Sequence, residues 1–388
     1  MKAPGINLHA LYATPLLIAL AAAPAVHADG HFYKQHNLVS DGFVKADHTD
    51  TNLVNAWGVA FNPFGPVWVA DNGTGVSTLY DGAGIPQPLT PSPLVVTIPS
   101  PKDDNGGGNP TGIVFNGSTG FVVSKDKVSG ASRFIFATED GVIAGWAPNV
   151  DRTHAIRAID NSKSGAVYKG LALSAGGNGG LLYATDFINN KIDVFDSDAI
   201  DGSFKPVTLW KGAFTDPKMP AKFAPFGIQA INGDIYVSYA KQGADVDEEH
   251  GAGLGFVNVF DPNGHLIRRV ASMGTLNAPW GMALAPAGFG KFSNHLLVGN
   301  FGDGRINAYN LVTGKFAGQL KAAHSGHPIV IDGLWGLAFG NGFVGQRVNT
   351  LFFAAGPGDE AHGLYGLIDV DMKANDGHHD DKPHGNHY

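Results

Sequence analysis

The sequence contains no cysteine, and charged residues make up only 15% of its 388 residues. The lack of cysteine excludes disulfide frameworks, thiolate metal sites and thiol catalysis. Low charge combined with 44% hydrophobic residues excludes a disordered polyampholyte. Acidic residues outnumber basic ones by 34 to 26, which argues against a broad electrostatic surface for nucleic acid. We therefore expect a folded protein that does not bind nucleic acid.

Long apolar runs are also scarce, and the clearest one lies near the N-terminus. Residues 1–28 combine a single basic residue, Lys2, with an apolar stretch and a small-x-small ending at Ala28. This pattern is typical of a secretory signal peptide. A membrane anchor is the alternative, but the run is shorter than the ~20 residues of a spanning helix and is interrupted by proline. We expect cleavage near Ala28, a periplasmic or secreted protein, and one domain over residues 29–370.

Glycine, in contrast, is abundant, with 54 residues, about twice its usual share of ~7%. Part of this excess belongs to a repeat in which an aromatic residue or proline stands shortly before a glycine and apolar residues follow. The spacings between successive anchor glycines are 54, 58, 57, 54 and 55 residues, and the anchors are Gly58, Gly112, Gly170, Gly227, Gly281 and Gly336. So even a period indicates a repeat architecture.

Each repeat continues with short apolar runs that are separated by turn residues. Residues 67–71 and 192–196 are examples of second and third runs, and residues 94–98 fit a fourth. Such runs are typical of antiparallel strands joined by tight turns. Four strands in each of six units predict an all-β fold, a six-bladed β-propeller of four-stranded antiparallel blades.

The last repeat is incomplete, because its apolar pattern stops near Val370. Residues 36–44, which precede the first anchor glycine, have the pattern of a further strand that belongs to none of the six repeats. We predict that this N-terminal strand becomes the outer strand of the last blade. Such closure removes an open sheet edge and needs no disulfide.

The sequence resembles NHL-type six-bladed propellers, and more closely a largely uncharacterised family of secreted bacterial NHL-like proteins. The resemblance covers about residues 36–370 and is most specific at residues 37–41 (NLVSD), 331–337 (IDGLWGL) and 355–364 (AGPGDEAHGL). It implies the propeller fold, whereas the family has no established activity to carry over.

Blade topology predicts one loop-rich face, because second-to-third and fourth-to-first connections lie on the same side of the ring. Long loops on a rigid scaffold are a usual place for binding. Carboxylate and amide oxygens suit Ca²⁺ or another divalent cation, and the candidates on this face are Asn55, Asn109, Glu139, Asn277 and Asp332. Lactonases of the gluconolactonase/regucalcin type resemble this arrangement, with a metal held by Glu, Asn and Asp, although their motifs are not evident here. The alternative is that these side chains bind backbone N–H groups of turns.

Glu360 and His362 depart from the repeat pattern and share one loop. A carboxylate and an imidazole placed so close together suit an acid–base pair or a shared metal. Hydrogen bonding of the histidine to a neighbouring turn is the alternative.

Aromatic residues next to the anchor glycines are candidates for ligand binding. They predict a stacking surface at the channel mouth for a sugar or an apolar ligand, with Lys169 adding a positive charge for an anionic group; the set is Trp57, Lys169, Phe226, Trp280 and Trp335. Packing between blades is the alternative.

Two further segments are rich in titratable residues. The tail, residues 371–388, has histidines that suit loose capture of Zn, Cu or Ni ions, or that simply belong to a disordered, solvated segment; they are His378, His379, His384 and His387. The loop 242–250 has four acidic residues but lacks the spacing of an EF-hand. We interpret this loop as a solvated lid.

These observations favour an exported, monomeric binding module whose partner is a small molecule, a glycan or an extracytoplasmic protein. The alternative is a metal-dependent lactonase, hydrolase or lyase that uses Glu360 or His362. A structural surface protein without catalysis stays open as well, because fold alone does not define function.

Overall fold

The computed structural model describes residues 32–104, 106–174, 180–244 and 247–372. It is all-β and confirms the six-bladed propeller, since six antiparallel sheets each contain four strands that follow one another from the channel outwards. Within the described residues, no helix combines the length and apolarity needed to cross a membrane.

The first three blades account for the chain up to residue 206. Before blade one lie β1 (Tyr33–Ser40) and the short β2 (His48–Thr49). Blade one contains β3 (Ala56–Phe61), β4 (Val67–Asp71), β5 (Val76–Tyr80) and β6 (Val96–Thr97). Blade two contains β7 (Pro110–Phe115), the inserted hairpin β8 (Val122–Lys125) and β9 (Val128–Ala131), then β10 (Phe134–Thr138), β11 (Val142–Trp146) and β12 (Ile156–Asp160). Blade three contains β13 (Tyr168–Leu173), β14 (Leu182–Asp186), β15 (Lys191–Ser197) and β16 (Phe204–Pro206).

The other three blades complete the ring. Blade four contains β17 (Phe223–Ile231), β18 (Asp234–Gln242), the short β19 (Glu248–Glu249), β20 (Phe256–Phe260) and β21 (Leu266–Ser272). Blade five contains β22 (Pro279–Leu284), β23 (His295–Asn300), β24 (Ile306–Asn310) and β25 (Phe316–Gln319). Blade six contains β26 (Leu334–Phe339), β27 (Leu351–Ala355) and β28 (Leu364–Val370). Among the described residues, short 3-10 turns lie at Asn72–Thr74, Ser162–Ser164 and Gly290–Phe292.

The ring closes as predicted, because β1 pairs antiparallel with β28 as the outer strand of blade six. The strand nevertheless ends at Ser40 instead of continuing to residue 44. The Ser40 hydroxyl donates to the Val44 carbonyl at 2.6 Å and accepts from the Gly42 N–H at 3.1 Å. These bonds form a turn, which ends the strand.

The predicted fourth strand of blade one is also shorter than expected. Only Val96–Thr97 pairs with β5, whereas the prediction covered residues 94–98. The Leu94 N–H donates to the Gln87 carbonyl at 2.9 Å, because the proline-rich segment before it folds back on itself.

The anchor glycines mark the closest approach between neighbouring blades. A Cβ added at Gly58 would lie 2.5 Å from the Thr111 carbonyl oxygen in the next first strand. Each of the other five anchors meets the backbone of the following first strand in the same way, and Gly336 meets Trp57, which completes the circle. The repeated glycine is therefore required because a side chain at this position would separate the blades.

Apolar cores lie between adjacent blades. For example, Val257 and Val259 of blade four pack in one cluster with Leu296 and Val298 of blade five. This follows from strand alternation, since each blade is covered on both faces by its neighbours.

Candidate functional site

We call the side that carries the second-to-third and fourth-to-first loops the upper face, and several of these loops meet at the channel mouth. Asn55 precedes β3, and its side-chain amide donates to Glu360 Oε2 at 2.6 Å and to Asn72 Oδ1 at 3.2 Å. The Asn72 amide in turn donates to Glu139 Oε2 at 2.8 Å. Loops of blades one, two and six thus form one polar network at the channel mouth.

Lys169 of β13 reaches this network from below. Its side chain is 2% exposed, and its Nζ lies 2.6 Å from Glu139 Oε1 and 3.1 Å from Asp247 Oδ1. Burial alone would lower the pKa of Lys169, but the surrounding carboxylates outweigh burial and raise it. Lys169 is therefore a charged ammonium that neutralises only part of the acidic mouth.

Aromatic rings form a buried layer directly beneath the polar network. The rings of Trp57 and Trp335 stack with centroids 3.6 Å apart, and Trp280 meets both edge-on. Phe226 is fully buried beside them, and the Lys169 Nζ lies 5.2 Å from the Trp57 ring. The structure thus brings all five predicted ligand-binding residues together, but their rings pack on one another, and the polar groups lie above them.

Two of the three indole N–H groups in this layer donate hydrogen bonds to described residues. Trp335 Nε1 donates to Asn55 Oδ1 at 3.1 Å, and Trp280 Nε1 donates to the Lys169 carbonyl at 2.8 Å. Trp57 Nε1 is buried without a hydrogen-bond partner among the described residues. The aromatic layer is therefore bonded to the mouth network through Asn55 and to β13 through the Lys169 carbonyl.

Glu360 is the most perturbed carboxyl group of the mouth. Burial raises its pKa, the hydrogen bond from Asn55 opposes this rise, and Glu139 and Glu248 add repulsion. Lys169 has a smaller lowering effect, and the resulting pKa is about 7. Glu360 is therefore poised to exchange a proton near neutral pH.

Glu248 is the important residue that sequence reasoning missed. The Asp247 side chain is 67% exposed, as expected for a solvated loop, but the Glu248 side chain is only 3% exposed. The short strand β19 pairs Glu248 with Gln242 of β18, which folds the loop back towards the mouth. Glu248 Oε1 lies 3.6 Å from His250 Nε2, and this contact raises the His250 pKa. Glu248 Oε2 is buried without a hydrogen-bond partner among the described residues.

The residues predicted to hold a cation have separate roles in the structure. Asn277 Oδ1 accepts the Gly251 N–H at 2.7 Å, and Asp332 Oδ2 accepts the Gly358 N–H at 2.9 Å. The Asn109 amide donates to the Asn72 backbone carbonyl at 3.4 Å, so Asn109 borders the mouth network, whereas Asn55 and Glu139 join it through their side chains. In the part of the chain that the structure describes, no group of three Asp, Glu or His side chains is arranged to hold a metal ion. The predicted amide and carboxylate ligands are thus each bonded to other protein groups.

His362 and Glu360 bond to different partners. His362 Nδ1 lies 2.7 Å from Asp41 Oδ2, and its ring stacks on Phe43 at 3.8 Å. His362 thus attaches the loop after β1 to blade six, while Glu360 faces Asn55. The histidines predicted to capture metal in the tail lie outside the described residues.

Comparison with solved structures agrees with the propeller fold. The chain is similar to a crystal structure of glucose dehydrogenase, with a TM-score of 0.50 and 13% identity over 87% of this chain and 99% of that one. Virginiamycin B lyase from Staphylococcus aureus aligns with a TM-score of 0.48 and 15% identity, over 87% of this chain and 99% of the lyase. At these identities the likeness concerns the fold alone.

Sequence comparison then identifies the family. The chain is 33% identical to uncharacterized protein R648 of Acanthamoeba polyphaga mimivirus over 345 residues, 88% of this chain and 81% of R648. It is 34% identical to uncharacterized protein L690 of the same virus over 347 residues, 88% of this chain and 86% of L690. No protein-family model matches the sequence. The chain belongs to the family of R648 and L690.

Proposed function

We propose that this propeller is a binding module that takes a small molecule with a positively charged group at its upper mouth. The observation that carries the proposal is the buried Oε2 of Glu248, which has no hydrogen-bond partner among the described residues and lies close enough to Glu360 to raise its pKa. A buried carboxylate oxygen without a partner is costly. A ligand ammonium, which carries three N–H donors, would supply the missing bond.

The charge balance of the mouth supports the same ligand class. Glu139 and Glu248 both raise the pKa of Glu360 by electrostatic repulsion, so Glu360 interacts electrostatically with both carboxyl groups. Lys169 supplies one positive charge in return, and Glu248 also raises the pKa of His250 beside it. A cationic ligand would relieve the remaining repulsion, whereas an anionic ligand would add to it.

The test is calorimetric titration of the protein with putrescine, with 1,4-butanediol as the uncharged analogue. We expect putrescine to bind and the diol not to bind, and we expect Glu248→Gln to abolish binding without lowering the melting temperature. Glu249→Gln is the matched control, because Glu249 lies on the same loop but is paired with Lys241 at 2.7 Å and is 47% exposed. Equal loss in both variants, or equal binding of amine and diol, would refute the proposal.

A second candidate function is acid–base catalysis at the same mouth, favoured by the Glu360 pKa of about 7. Glu360 would transfer a proton to or from a hydrolase, lactonase or lyase substrate. The metal-dependent form of this hypothesis has no ready ligand group in the described residues. Turnover of lactone or ester substrates that is lost in Glu360→Gln, with putrescine binding retained, would select catalysis.

We also propose that the protein acts outside the cytoplasm and belongs with secreted NHL-type propellers. The apolar segment and the small-x-small ending of residues 1–28 support this proposal. N-terminal sequencing of the protein recovered from its natural host tests it, with Asp29 expected as the first residue. An intact N-terminus on a cytoplasmic protein would contradict it.

A further inference from the structure

The lower end of the central channel, opposite the polar mouth, is a separate cavity of about 520 Å³. It is lined by the C-terminal halves of all six first strands, β3, β7, β13, β17, β22 and β26. Its inner end is narrow, because a space of only about 30 Å³ continues between the anchor glycines as far as Trp280. The buried aromatic layer lies beyond, so the cavity is a funnel separated from the upper mouth.

The funnel wall follows from the repeat register. The third residue after each anchor glycine lines the cavity, and in five blades this residue is large and apolar: Phe61, Phe115, Leu173, Leu284 and Phe339. In blade four the same position is Ala230. Because side chains two residues apart share one side of a strand, this register forms an apolar collar with one gap.

Blade four also supplies the polar exception. The second residue after the anchor glycine is alanine or valine in five blades, but it is Gln229 in blade four, where it is exposed in the cavity wall. Among the described lining residues only Gln229 and Asn232 have polar side chains, and none is charged. The gap at Ala230 and the amide of Gln229 therefore lie next to each other among lining side chains that, apart from Asn232, are apolar.

We propose that this funnel is a second binding site, for an uncharged and mainly apolar small molecule with one hydrogen-bonding group. The volume lies within the ~300–1,000 Å³ of small-molecule sites. The collar would bury the apolar body of the ligand, and Gln229, with both donors and an acceptor, would bind its polar group. A charged ligand is disfavoured, because no lining side chain compensates its desolvation.

The experiment uses N-phenyl-1-naphthylamine, an uncharged dye whose fluorescence rises when it leaves water. We expect saturable binding to the folded protein and displacement by decan-1-ol. Decanoate should displace the dye at least about tenfold more weakly, because its carboxylate would be buried without a partner. No saturable binding, or equal displacement by alcohol and carboxylate, overturns the proposal.

Two variants locate the site. Ala230→Phe fills the gap in the collar and should weaken dye binding at least about tenfold, because overpacking of a filled site is costly. Val312→Ser is the control, since Val312 is 84% exposed and does not line the funnel. Equal effects of the two substitutions would place the dye elsewhere and refute the assignment.

Gln229→Leu keeps the proposal testable if Ala230→Phe fails to fold. This exposed position tolerates substitution, and the variant should keep the melting temperature of the native protein while binding decan-1-ol several-fold more weakly. An unchanged affinity for decan-1-ol would refute the role of Gln229. Putrescine should not displace the dye, so this site and the proposed upper site can fail independently.

Discussion

Glu360→Gln should change how the stability of the protein depends on pH. The Glu360 pKa rises from 4.5 to about 7 on folding. Between these values the folded protein retains a proton that the unfolded chain has lost, so stability falls as pH rises through this range and is level above it. The native protein is therefore penalised at pH 8 and not at pH 4.

The size of this penalty follows from the pKa change. One pKa unit corresponds to about 1.36 kcal/mol, so the change in Glu360 from 4.5 to about 7 gives at most about 3.4 kcal/mol. The mouth is partly open to solvent, which reduces the expected penalty to about 2 kcal/mol. Glutamine keeps the acceptor for the Asn55 amide but carries no charge, so the variant should lose the penalty.

The assay is urea unfolding of both proteins across the range from pH 4 to pH 8. We compare the stability difference between the two proteins at the two ends, because any change in packing that the substitution causes contributes equally at both. Relative to the native protein, Glu360→Gln should gain about 2 kcal/mol at pH 8 compared with pH 4. A difference that does not vary with pH would refute the raised pKa of Glu360.

Three further predictions concern the ring and the mouth. Gly58→Ala should lower the free energy of unfolding in urea by at least about 2 kcal/mol, because its Cβ would overlap the next blade. Gly106→Ala is the control: its Cβ would have its nearest neighbour at an ordinary 3.5 Å, so stability should change by less than about 0.5 kcal/mol. Similar losses in the two variants would contradict the packing role of the anchor glycine. Lys169→Met should lower the free energy of unfolding by about 1–3 kcal/mol at pH 8, since it leaves mouth carboxylates unpaired. It should also extend to higher pH the range over which stability falls with pH. An unchanged range would show that Lys169 does not affect the carboxyl groups of the mouth. Deletion of residues 33–40 exposes a sheet edge, so the protein should aggregate, as measured by gel filtration. Deletion of the tail, residues 371–388, should leave the melting temperature unchanged. The reverse result would contradict closure of the ring by the N-terminal strand.

The fold could be predicted from sequence because its signal is repeated six times. Each anchor glycine is required by the same close approach between strands, so the same residue recurs at each turn of the ring. Strand ends were less predictable, because side chains and loops near a strand end compete with the neighbouring strand for backbone hydrogen bonds. Ser40 ends β1 with its own hydroxyl, and the Leu94 N–H finds a partner within its own loop.

The candidate site could be predicted only in part. Topology correctly placed Asn55, Glu139 and Glu360 on one face, since loop direction follows from strand alternation. Asn72 and Glu248 were missed, because their positions depend on how individual loops fold over the mouth. Nothing in the spacing of four acidic residues indicates which one points inwards.

The closing blade joins the two ends of the described chain. β1 and β28 come from opposite ends of the ring, and the Asp371 N–H donates to the Phe32 carbonyl at 2.9 Å. During synthesis β1 must therefore wait for more than 320 residues before its partner exists, and contacts this distant in sequence form slowly. Until β28 has been synthesised, the nascent chain therefore carries β1 as an unpaired strand. A chaperone, or delayed release of the chain from the ribosome, would favour correct closure over aggregation during this period.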